Sequence, residues 1–185
     1  MYFAALSEAG DQIQFAIMVV LAVAIGTYLI HLNRKKAPED TPSPYAVLKE
    51  EELRTIPDDK LASVIMANLL AKMDKKHPDP YVTIPPLGEA RCTVYCVWLF
   101  DRILQEDGAA SLRRGREVKL LDFAVEGFRT VGAPRCAEAV AAIFDGNTPP
   151  KQAERAYLAA AAEEKPAEAL IPYIKDNLPL FCDGE

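Results

Sequence analysis

Basic side chains are missing from the first 33 positions of this 185-residue chain, and histidine is nearly missing throughout, with only His31 and His77. Without a Lys or Arg before Arg34 there is no positive n-region of the kind a cleaved secretory signal needs. The four cysteines, Cys92, Cys96, Cys136 and Cys182, form no Cys-x-x-Cys pair, so neither a zinc framework nor a disulfide scaffold is encoded. No Gly-rich phosphate loop occurs, and Ser43, Ser63 and Ser111 lack a neighbouring histidine in a nucleophile motif. Carboxylates are adjacent at Asp58/Asp59 and Glu163/Glu164, but neighbours on a helix diverge by about 100° and do not share a site. The expectation is a protein with no catalytic residues, no metal ligands, no cofactor and no small-molecule substrate. An excess of positive charge is lacking too. Lys and Arg number 21 against 27 Asp and Glu, a formal charge of −6 with a pI near 5.1. That excludes generic nucleic-acid binding, which needs a basic face against phosphate.

What the N-terminal region has instead is one apolar run. Residues 13–32 read IQFAIMVVLAVAIGTYLIHL and contain no Asp, Glu, Lys or Arg. About 20 residues at 1.5 Å rise each cross a hydrocarbon core of about 30 Å. Gln14 and His31 sit at the two ends, within reach of headgroups and water, and Tyr28 lies at the edge that amphipathic rings favour. No small-residue cleavage site follows the run, and a core helix of this length would show a polar face. A single transmembrane helix is therefore expected, with Phe15, Met18, Leu21, Ile25, Tyr28 and Ile30 among its anchoring side chains. Arg34, Lys35 and Lys36 follow it, whereas Glu8 and Asp11 precede it. The positive-inside bias then places residues 1–12 outside and the rest of the chain in the cytoplasm, as a single-pass inner-membrane protein. Reduced cysteines fit that compartment. Cys92 and Cys96, four apart on one helix face, read as buried thiols packing as small apolar groups.

Residues 33–44 form a basic, Pro-rich linker that cannot continue the helix. Residues 45–185 are long enough for one domain with its own core. Their periodicity is helical almost throughout. A short helix is expected up to Leu53, and a second from Pro57-Asp58-Asp59, carrying Leu61, Val64, Ile65, Asn68 and Leu69 on one stripe. Residues 81–86 read as an extended connector. A third helix runs from about Leu87 to Glu106, apolar nearly all round between Cys92 and Phe100, with Tyr95 and Trp98 as core. A fourth is expected over about Ser111–Thr130, and a fifth from Pro134 to Asp145. An Ala-rich helix follows over Gln152–Glu164, and Pro166 and Pro172 start short helices that end near Phe181. No alternating strand pattern appears. The expected fold is all-α: one transmembrane helix followed by a cytoplasmic multi-helix bundle.

Four segments in this order, VLKEEELRTIPDDKLASVIMANLLAKM, RCTVYCVWLFDRILQEDGAASL, LLDFAVEGFRTVGAPRCAEAVAAIF and ALIPYIKDNLPLF, resemble the bacterial DUF4375 domain of DNA-mimic proteins. The resemblance covers about Val47 to Phe181, and its most telling piece is the Val-Gly-Ala-Pro-x-x-Ala-Glu junction at Val131–Glu138. It implies an α-helical fold and, in characterised members, binding to a protein by imitating the charge of DNA. The family's Asn-Gly-Gly turn after the third helix is replaced here by Glu106-Asp107-Gly108-Ala109-Ala110. No functional residue is carried over.

Two charged clusters stand out. Glu50, Glu51 and Glu52 are interrupted by Lys49, Arg54 and Lys60, the pattern of a solvated helix face. Arg113, Arg114 and Arg116 fall at the start of the expected fourth helix, where they would oppose the helix dipole. Pairing with Glu117 or Asp107, or contact with anionic lipid or an acidic partner, would compensate them. The sequence thus points to a membrane-anchored interaction domain whose partners are the bilayer and an unidentified protein. The small residues Ala16, Ala22, Ala24 and Gly26 suit an accessory subunit of a larger membrane complex. An acidic effector that sequesters a basic protein is the other alternative.

Overall fold

A computed structural model of the protein describes residues 45–73 and 79–183. The expected outer segment 1–12, the span 13–32 with Phe15, Met18, Leu21, Ile25, Tyr28 and Ile30, the flank Arg34, Lys35 and Lys36, and His77 all lie outside the described residues. The chain divides into two units, residues 1–41 and 42–185, and the second holds everything described below. Among the described residues every regular element is helical, and no helix is long and apolar enough to cross a membrane.

Among the described residues nine α-helices follow one another: α1 (Glu50–Thr55), α2 (Asp58–Ala71), α3 (Pro80–Thr83), α4 (Glu89–Glu106), α5 (Ala109–Arg114), α6 (Leu121–Thr130), α7 (Pro134–Phe144), α8 (Pro150–Glu164) and α9 (Pro166–Asp176). Single 3-10 turns lie at Pro85–Leu87, Arg116–Leu120 and Leu178–Phe181. α4 is the central element, packed by α2, α6, α8 and α9, while α6, α7 and α8 stack in sequence beside it. Its stretch from Ala90 to Val97 is buried residue after residue, which is why that stretch reads as apolar on all sides. The stripe Leu61, Val64, Ile65, Asn68 and Leu69 is buried on α2 as its spacing requires. Phe100, Phe128, Tyr157 and Phe181 fill the centre with no exposure, and Phe128 meets Tyr157 edge to face at 5.9 Å. Trp98 is only half-buried, with the Arg102 guanidinium 5.3 Å above its ring.

Three expectations are corrected. Residues 81–86 are not extended: Asp79 accepts a hydrogen bond from the Tyr81 N–H, Pro80 sits at the first helical position, and a short helix and a 3-10 turn form. The expected helix over 111–130 is broken into α5, a 3-10 turn and α6. The Glu117 carboxylate folds back into the space that a side chain at Gly115 would fill. Pro172 does not start a helix but lies inside α9. It and Glu168, the residue four earlier whose carbonyl loses its donor, are both on the exposed face, where water replaces the bond.

Polar side chains far apart in sequence close the fold. Asp183 accepts hydrogen bonds from the Leu48 N–H and the Asn68 amide at 3.0 Å each and from Arg91 at 2.7 Å, and it pairs with Lys72 at 2.8 Å. In return the Asp183 N–H donates to the Leu48 carbonyl at 2.9 Å. Asn68 also donates to the Tyr45 and Ala46 carbonyls, so this clasp ties both ends of the described domain to α2 and α4. Deeper in, buried Asp101 accepts from the Tyr157 hydroxyl at 2.6 Å and from Gln105 at 2.7 Å. Carboxylates also serve helix starts: Glu154 accepts from the Ala109 N–H at the start of α5, and Glu164 from the Arg135 and Cys136 N–H groups of α7.

Burial pushes the Asp183 carboxyl up, but Lys72, the Leu48 N–H, Asn68 and Arg91 together hold it down at about 2, below its ordinary 3.8. A lowered carboxylate contributes stability that is present above about pH 4 and is lost as the pH falls toward 2. Asp183→Asn is therefore expected to lose about 1–3 kcal/mol in urea unfolding at pH 7 and progressively less as the pH approaches 2. Tyr157→Phe removes one of two donors to a buried carboxylate and is expected to cost about 1–3 kcal/mol by the same measurement.

Candidate functional site

The arginine cluster lies where α5 gives way to the 3-10 turn. Arg113 and Arg114 occupy the last turn of α5, not the first turn of a long helix. Positive charge there favours the helix dipole, the reverse of the sequence expectation. Arg114 Nε donates to the Ala110 carbonyl one turn back at 3.1 Å. Arg116 pairs with neither Glu117 nor Asp107 but with Asp79, at 2.6 Å. That bond crosses from the 3-10 turn to the start of α3, and Lys119 repeats the crossing with its ammonium 5.6 Å above the Tyr81 ring.

Large apolar side chains project from the same two elements. Val82 of α3 is 66% exposed, Tyr81 45% and Val118 of the 3-10 turn 43%. The result is a ridge in which exposed apolar groups stand beside Arg116 and Lys119. Arg113 acts at the other side of the cluster, on Asp145. The N–H groups of Thr148 and Asn147 lower the Asp145 carboxyl most, and Arg113 adds to them. Arg116 is largely exposed even though paired, so its charge stays available to a partner surface.

A second feature is a cavity of about 410 Å³ between α4 and α6. Gly127 is the reason the two helices approach so closely: a Cβ there would stand 3.2 Å from Val97 and 3.5 Å from the Thr93 carbonyl. Cys92 and Thr93 line the α4 side, and Phe123 and Pro85 form apolar walls. Glu89 on α4 and Glu126 on α6 are both exposed and also line it. Cys92 Sγ lies 3.9 Å from Cys96 Sγ one helical turn on. The contact between the two thiols lowers the Cys92 thiol against the upward push of burial and of Glu89, and it raises Cys96 together with burial. Cys136 is raised by burial and by the Glu164 carboxylate, and Cys182 by burial and Glu50. No sequence signal marks the cavity, because it depends on a helix crossing between residues more than thirty apart (Cys92 to Gly127).

The remaining charged candidates are held within the fold. Arg54 pairs with Glu50, and Lys175 pairs with Asp58 at 2.6 Å, so the acidic stretch 50–59 is not an unbroken row. Glu163 and Glu164 both meet Arg135, and only Glu164 reaches the N–H groups of α7. Tyr95 is buried, its hydroxyl raised by desolvation. Among the described residues no group of three His, Cys, Asp or Glu could hold a metal ion.

Compared with known protein families, curated proteins and solved structures, the chain matches none. The likeness to the DUF4375 domain therefore rests only on the segments quoted above.

The two placements of the arginines predict opposite signs. At the end of α5, Arg113→Ala with Arg114→Ala is expected to destabilise the domain by about 0.3–1 kcal/mol per charge at low salt. Had they opened a helix, the same change would stabilise it. Urea unfolding at low and high ionic strength separates the two, since salt screens the effect.

Proposed function

We propose that this chain is a single-pass inner-membrane protein that displays an all-α interaction domain in the cytoplasm and has no catalytic activity of its own. The observation that carries the reading is the uncharged apolar run at residues 13–32, followed directly by Arg34, Lys35 and Lys36. Residues 33–44 are the tether. The ridge of Arg116 and Lys119 beside Val82, Tyr81 and Val118 supports a domain that lies against the inner leaflet. Cations near an anionic surface contribute about 1 kcal/mol each within a Debye length, and exposed apolar side chains add burial in the headgroup zone. The protein partner is captured by another part of the domain or along the span, where Ala16, Ala22, Ala24 and Gly26 allow close helix contact.

The test has two parts. Full-length protein is expected to pellet with membranes and to resist extraction by high salt, with a reporter fused to the C-terminus active only in the cytoplasm. Extraction by salt alone, or a reporter active only in the periplasm, overturns the anchor or its sidedness. Purification in mild detergent then reads the partner class. A stoichiometric multi-subunit assembly favours the accessory-subunit role, and salt-sensitive capture of a basic protein favours an acidic effector. For the ridge, Arg116→Gln with Lys119→Gln is expected to weaken cosedimentation with anionic vesicles several-fold at low salt. Unchanged binding removes the ridge from the reading.

A further inference from the structure

The cavity between α4 and α6 carries chemistry that the membrane reading does not use. We propose that Cys92 is a thiol-modification site, and that the acidic mouth of its pocket selects small cationic disulfides. This inference stands whether or not the chain is anchored in a bilayer.

Four features place the chemistry there. Cys92 is only 3% exposed, yet it lines a cavity of about 410 Å³, within the size range of small-molecule sites. It lies in the first turn of α4, where backbone N–H groups favour negative charge on sulfur. Cys96 Sγ stands 3.9 Å away, within reach of a thiol–thiol hydrogen bond. Glu89 and Glu126 line the cavity from opposite helices, and no Lys or Arg lines it. An anionic reagent meets the Glu89 carboxylate and that of Glu126, the latter paired with Arg129 at 3.5 Å, whereas a cationic one is drawn in beside the Phe123 ring.

The step is a thiol–disulfide exchange. The Cys92 thiolate attacks one sulfur of R–S–S–R, the S–S bond of the reagent breaks, and a Cys92–S–S–R bond forms. The departing R–S⁻ takes up the proton that Cys92 released. Cys92 is oxidised, and the leaving sulfur is reduced. Cys96 does not readily displace the adduct, because Cβ atoms four apart on a helix are about 5–6 Å apart, whereas a disulfide needs about 3.5–4.5 Å. The product is a persistent mixed disulfide and not a Cys92–Cys96 bridge.

The other cysteines are internal controls. Cys136 is equally buried but sits beside the Glu164 carboxylate, and Cys182 is half-exposed at the chain end. Full-length protein in mild detergent is treated with cystamine (cationic) or dithiodiglycolate (anionic), and each cysteine is followed by peptide mass mapping. Each rate is divided by that of the urea-unfolded chain, which removes the intrinsic difference between reagents. Cys92 is expected to react faster than Cys136, with a preference for cystamine on the order of tenfold. Glu89→Gln with Glu126→Gln, two exposed changes that leave the core intact, is expected to abolish that preference. Labelling of Cys92 no faster than of Cys136 overturns the site. A preference that survives the double substitution overturns the role of the acidic mouth.

Discussion

The carboxylate of Asp183 joins parts of the chain that nothing else brings together so directly. Its two oxygens take the Leu48 N–H, the Asn68 amide and the cations of Arg91 and Lys72, so the start of the domain, α2, α4 and the last described residues share one acceptor. Energetically the core is larger. Each fully buried Leu or Phe contributes about 1.5–3 kcal/mol, and the domain buries many of them. Apolar burial has no direction, however, and tolerates small slides of one helix on another. Hydrogen bonds of about 3 Å do not. The clasp therefore fixes where the ends of the bundle lie, while the core keeps the bundle compact.

The fold was legible in the sequence to the extent that it is local. The stripe from Leu61 to Leu69, the apolar centre of α4 and the start of α7 at Pro134 all follow from periodicity and proline placement. Where reading failed, a capping or crowding side chain a residue or two away, or the exposure of one face, overruled the periodic pattern. The pattern over 111–130 is continuous enough for one helix, yet the Glu117 carboxylate occupies the space over Gly115 and the chain turns there. Pro172 looks like a start signal, but on the exposed side of α9 its missing donor is tolerated. Residues 81–86 look extended until Asp79 caps them.

The candidate sites were less legible still. Arg113, Arg114 and Arg116 were visible as a cluster, but their sign against the helix dipole and the partnership of Arg116 with Asp79 depend on where the helix breaks. Asn68 looks like a flaw in an apolar stripe, and its use becomes plain only beside Asp183, 115 residues later. The cavity at Cys92 has no motif at all. Gly127 lets α6 approach α4, and Phe123, one turn earlier, remains in solvent as its wall.

Because Leu48 and Asp183 are bound to each other, the two ends of the described domain emerge side by side. A pull applied to the chain ahead of Leu48 would reach this joint before any helix of the bundle. Its bonds are mostly charge-assisted, and they would bear tension while the core stayed slack. Acid would weaken the joint without touching the apolar interior. The domain would then first yield at its collar, letting a few residues pay out while the helices remained folded.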